Sequence, residues 1–96
     1  MSKDALDALR AEIDVIDERL VSLIAERFAC TDRVGQLKST YQLPAVDAAR
    51  ESWQMARLEA LANAHEVSPH LLQRVFRLMM DEVVGRHRQL GASATE

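Results

Sequence analysis

From Leu6 to Tyr41, apolar or uncharged residues recur at alternating steps of three and four: Leu6, Leu9, Ile13, Ile16, Leu20, Leu23, then Cys30, Val34, Leu37 and Tyr41. One seam position breaks the pattern, and it is Arg27. No proline interrupts the run and good helix formers fill most of the rest, so the spacing predicts one continuous helix with a coiled-coil-like seam. At about 1.5 Å per residue such a rod is roughly 54 Å long. A compact chain of this size has a radius of gyration of only about 12–13 Å. The remaining residues cannot cover the rod, so a partner chain is expected, with two long helices buried against each other.

The charges on this helix divide into two kinds. Arg27 and Lys38 are eleven residues apart, close to three full turns, so both point the same way. Neither has an Asp or Glu three or four residues to either side, so neither has an ion-pair partner within the helix. Arg27 lies on the apolar seam itself, where a cation is costly unless something anionic meets it. Arg10, in contrast, has Asp7 and Asp14 within reach. It stands roughly 25 Å along the axis from Arg27 and about 100° around it. To serve the same site as Arg27, it must come from a second, antiparallel copy of the helix.

Composition narrows the function classes. The chain has 96 residues, 48% hydrophobic and 28% charged, which fits one globular unit. Three glycines, two prolines and four aromatics argue against β-rich architectures. A net charge of −3 gives no reason to expect nucleic acid as a partner. The one cysteine, Cys30, excludes an internal disulfide and reads as a small buried seam residue. A signal-like N-terminus and a membrane-spanning apolar run are both lacking, so a cytoplasmic location is expected. One helical domain over residues 1–90 and a frayed tail, Gly91 to Glu96, complete the expected organisation.

Gly35, inside the long helix, costs about 1 kcal/mol against alanine. It reads either as mere tolerance or as close approach of a backbone or ligand, three residues before Lys38. Near Gln42-Leu43-Pro44 the helix should stop, because proline disfavours helical geometry in the residue before it. Asp47 then fits the N-cap of a second helix reaching Asn63 or His65. On that helix Asp47, Arg50, Glu51 and Gln54 share one polar stripe, which reads either as a solvated face or as a binding surface. Ser68-Pro69 repeats the start signal for a third helix to about Arg88. Its apolar stripe is Leu72, Val75 or Phe76, Met79 and Val83, continuing to His87. His65, His70 and His87 lack metal-ligand spacing, and there is no glycine-rich phosphate loop or nucleophile elbow. The reading is an all-α chain of one long and two medium helices, intertwined with a second copy. Its cations, Arg27 and Lys38 with Arg50 nearby, suit a small anion.

Particular segments carry a resemblance. Leu9-Arg10-Ala11-Glu12-Ile13-Asp14-Val15-Ile16-Asp17 leads into Leu23-Ile24-Ala25-Glu26-Arg27. Val34-Gly35-Gln36-Leu37-Lys38 follows, and then Pro44-Ala45-Val46-Asp47-Ala48-Ala49-Arg50-Glu51. In order and spacing, residues 6 to 88 resemble the all-helical, AroQ-type chorismate mutases. No single short motif decides the match; the combined spacing does. The resemblance implies an intertwined homodimer of three-helix chains with two equivalent sites, each taking one arginine from the other subunit.

It further implies the Claisen rearrangement of chorismate to prephenate, a step toward phenylalanine and tyrosine. That reaction is unimolecular and pericyclic and needs no nucleophile, metal or cofactor. The family's residues carry over as follows. Arg10 of the partner chain and Arg27 would bind the substrate carboxylates, with Arg50 as a supporting contact. Lys38 would donate to the ether oxygen, and Asp47 and Glu51 would meet the ring hydroxyl, Glu51 as acceptor. Two positions depart from the family pattern. His87 stands where many relatives have a glutamine that helps the lysine hold the ether oxygen, and Val83 where some have a serine near a carboxylate. His87 can still donate a hydrogen bond as the cation or as the correct neutral tautomer, and turnover would then depend on pH. Val83 removes one polar contact.

Three other readings share this sequence. A lyase of the same fold would remove pyruvate from isochorismate, although such relatives tend to carry an apolar residue where this chain has Glu51. A mutase of amino-substituted chorismate is compatible with Glu51, which could equally accept from an ammonium. A non-catalytic helical dimer would have little use for Arg10, Arg27, Lys38 and Arg50 together.

Overall fold

A computed structural model describes residues 2–91, and its elements are three α-helices: α1 (Ser2–Thr40), α2 (Ala48–Ala64) and α3 (Pro69–Gln89). The fold is all-α. Of the expected frayed tail only Gly91 falls within the described residues. Within α1 the chain divides into two units, one ending at Thr31 and the other beginning at Asp32.

The first unit is helix throughout its described length. Its seam side chains Leu6, Leu9, Ile13, Ile16, Leu20 and Leu23 are between 45% and 61% exposed. Cys30 is exposed too, which corrects the expectation of a buried thiol. The reason is geometric: a helix seam is covered only when a second helix lies along it.

The second unit begins with the last turns of α1, which end as the Gln42-Leu43-Pro44 signal predicts. Gln42 takes the left-handed conformation (φ 55°). The Leu43 N–H donates to the Lys38 carbonyl at 2.7 Å and the Gln42 N–H to that of Ser39 at 3.3 Å. This is a Schellman closure, which satisfies carbonyls that a helix end leaves open. Asp47 then caps α2, its Oδ1 accepting the Arg50 N–H at 3.0 Å. The end of α2 repeats the first closure. Glu66 is left-handed (φ 56°), and the Val67 N–H donates to the Ala62 carbonyl at 2.9 Å. Ser68 caps α3 by accepting the Leu71 N–H at 3.2 Å, with Pro69 in the first turn.

α2 packs on α3. The buried apolar side chains are Ala45, Leu58, Ala62 and Met80, and Ala62 has no exposed surface at all. On α3, Leu72, Phe76, Met79 and Val83 are half-buried while Val75 is 40% exposed, so Phe76 occupies the stripe position. Met80, one turn beyond Phe76, belongs to the core although the predicted stripe omits it.

Gly35 is where α3 meets the end of α1. A Cβ at this position would lie 2.5 Å from His87 Cδ2, 3.1 Å from His87 Nε2 and 3.0 Å from Leu90 Cδ1. Neither a backbone nor tolerance accounts for the glycine. It is the imidazole of His87, only 2% exposed, that fills the space. Gly35→Ala is therefore expected to reverse the helix-propensity gain of about 1 kcal/mol. The overpacking cost of about 1–3 kcal/mol should leave a net loss, read as a lower urea midpoint. A midpoint at or above that of the parent would mean that the ring moves aside freely.

Candidate active site

Lys38 lies in the last turn of α1, where the partial negative charge of a helix C-terminus favours a cation. Its half-buried ammonium donates to the Ala45 carbonyl at 2.9 Å. Ala45 is 2% exposed, so the anchor is a fixed backbone dipole within the α1–α2 turn. An ammonium has three donors, and this bond uses one. The tether holds the lysine head beside the segment that starts α2.

The predicted polar stripe opens α2, but its members are differently engaged. Asp47 is exposed and its Oδ1 is committed to the cap. The Arg50 guanidinium lies 4.4 Å from the Trp53 ring centroid, and that of Arg57 lies 5.6 Å from the same ring. Such stacking is worth about 0.5–1 kcal/mol at an exposed site. Glu51 is half-buried, and its Oε1 accepts from Arg77 Nη1 of α3 at 3.0 Å. With side chains 25% and 46% exposed, this pair is solvent-screened and contributes little stability, about 0–1 kcal/mol. Its effect is on position: it fixes one carboxylate oxygen and ties α2 to α3.

On α3, His87 is buried with its ring over Gly35, and Val83, one turn earlier, is half-buried. Gly35 and Lys38 are neighbours at a spacing of three on α1, so His87 approaches the same side of that helix. Asp32 accepts from Arg86 Nη2 at 2.9 Å, which ties α3 to α1 beside this contact. Arg10 and Arg27 belong to the first unit, Arg10 exposed and Arg27 half-buried with its Nη1 enclosed.

A cavity of about 250 Å³ in the second unit is lined by Asp32, Gln36, Arg86, Gln89 and Leu90. None of the predicted site residues lines it. Its two charges neutralise each other, so it does not suit a dianion. Among the described residues no group of three or more His, Cys, Asp or Glu could hold a metal ion. No described helix is long and apolar enough to cross a membrane.

Sequence reasoning missed Arg77, because a contact across 26 residues leaves no local spacing signal. It also passed over Trp53, although its spacing of three from Arg50 places the two side chains together on a helix and could have found it.

Comparison with known proteins adds the family. The model of the family described as chorismate mutase type II matches residues 9–88. The bifunctional chorismate mutase/prephenate dehydratase of Escherichia coli (strain K12) is 36% identical over 83 residues, which is 86% of this chain and 22% of that protein. The T-protein of Enterobacter agglomerans is 39% identical over 77 residues, 80% of this chain and 21% of the relative. A chorismate mutase of Methanocaldococcus jannaschii is 28% identical over 78 residues, covering 81% of this chain and 79% of that one. The chain thus spans about a fifth of the length of the first two relatives and matches most of the third. With the family model matched from Leu9 in α1 to Arg88 in α3, the chain belongs to the chorismate mutase type II family.

Proposed function

We propose that this chain is a chorismate mutase that converts chorismate to prephenate as a homodimer with shared sites. The observation that carries the reading is the family match over residues 9–88, together with the presence of every cation the resemblance assigns to the substrate. The open seam of α1 supports the dimer, since so much contiguous apolar surface marks an interaction face.

The chemistry requires holding rather than attacking. One carbon–oxygen bond breaks as one carbon–carbon bond forms, within a single flexible dianion. Fixing its two reacting ends together removes much of the barrier, and donors set in advance stabilise charge that develops on the ether oxygen. Arg27 and the partner subunit's Arg10 take the carboxylates, with Arg50 in support. Lys38, already tethered to the Ala45 carbonyl, needs little reorganisation to donate to the ether oxygen. His87 reaches the same atom from α3 in place of the glutamine of many relatives. Glu51 accepts from the ring hydroxyl, and Asp47 lies beside it. Val83 contributes shape only.

Lys38→Ala should lower kcat by about 100- to 1000-fold, the usual cost of one transition-state donor, with an unchanged helical circular dichroism spectrum. Near-parental turnover would remove Lys38 from the chemistry. The shared site has its own test. Arg10→Ala and Arg27→Ala chains should each form inactive homodimers, while a purified mixed dimer should regain about half the parental activity through its one intact site. Sedimentation as single chains, or an inactive mixed dimer, would contradict the arrangement.

A further inference from the structure

The Glu51–Arg77 contact has a consequence for which substituent the ring end of the site accepts. Arg77 Nη1 meets a single oxygen of Glu51, Oε1, at 3.0 Å. A carboxylate has about four lone-pair positions across two oxygens, so Oε2 keeps its acceptor capacity. The pair as a whole is neutral, and the guanidinium is permanently charged. A hydroxyl donates to Oε2 at no electrostatic disadvantage. An ammonium at the same point is attracted by Glu51 but repelled by Arg77, so the carboxylate's preference for a cation is weakened. Discrimination by a placed repulsive charge is a common route to specificity.

We propose that Arg77 is a specificity-determining residue that shifts the site's preference toward a ring hydroxyl and away from a ring ammonium. This rests on the assignment of Glu51 to the ring substituent made above. Arg77 touches no reacting atom; it acts through Glu51. The two side chains come from different helices, 26 residues apart, so the charge is supplied by the α2–α3 packing and not by the α2 stripe alone.

The test compares chorismate with its 4-amino-4-deoxy analogue on the purified full chain, with kcat and KM measured for each. Arg77→Gln removes the charge and keeps a polar side chain; Arg77→Lys keeps the charge. Arg77 is nearly half exposed, so both variants are expected to fold, as helical circular dichroism would verify. In Arg77→Gln the ratio of kcat/KM for the amino substrate to that for chorismate should rise by about three- to fivefold, the scale of one water-screened charge a few ångströms away. In Arg77→Lys the ratio should stay near the parental value. In a Glu51→Gln background, Arg77→Gln should move the ratio by less than half as much on a logarithmic scale, because the two residues act as one unit. Equal losses for both substrates in Arg77→Gln would make Arg77 a structural tie only and overturn the proposal. An equal shift in the Lys variant would overturn it as well. A parent chain that turns over neither substrate would overturn the mutase assignment itself, and this inference with it.

Discussion

The six seam side chains Leu6, Leu9, Ile13, Ile16, Leu20 and Leu23 stand about half exposed along the first unit. Fully burying one such side chain is worth about 1.5–3 kcal/mol. The buried apolar set among the described residues is small by comparison: Ala45, Leu58, Ala62 and Met80. A domain of this size buries little enough surface that its stability is marginal without help. The seam therefore asks for another helix surface. In the proposed dimer, the association that covers these leucines also delivers Arg10 to a neighbour's Arg27. Assembly and substrate recognition then share one interface, and neither can be altered without the other.

Electrostatics follows from that burial. A guanidinium on an apolar seam is tolerable only where a counter-charge meets it, and Arg27 is already half-buried in the single chain. Elsewhere the second unit manages its charges by internal anchoring. Lys38 leans on a buried carbonyl, Glu51 on Arg77 and Asp32 on Arg86. Each anchor removes rotamer freedom in advance, which lowers the ordering cost of binding a small ligand. Gly35 serves the same end by letting the His87 ring seat directly on the helix that carries Lys38.

Helix boundaries were legible because they depend on local chemistry. Pro44, Asp47, Ser68 and Pro69 act within a turn of themselves, and the observed caps use the predicted residues. The resemblance assigned the site residues, but their engagements were not legible. The carbonyl that holds Lys38, the arginine that meets Glu51 and the ring that seats on Gly35 all come from segments brought near by packing, which periodicity does not encode. Cys30 shows the converse. It follows the same spacing as the seam leucines, but burial there is a property of two helices and not of one sequence. Val75 and Phe76 could not be separated by spacing alone, since adjacent positions on a helix differ by only about 100°; in the structure Phe76 is half-buried and Val75 is 40% exposed.

Trp53 is the chain's one tryptophan, and it sits half exposed between two arginines on the first turns of α2. Indole emission is sensitive to nearby charge and to solvent. Indole emission, separable from that of Tyr41 by excitation wavelength, is accordingly a local optical signal generated at the Arg50 end of α2. A single native indole so placed makes labelling unnecessary for following events at that helix start.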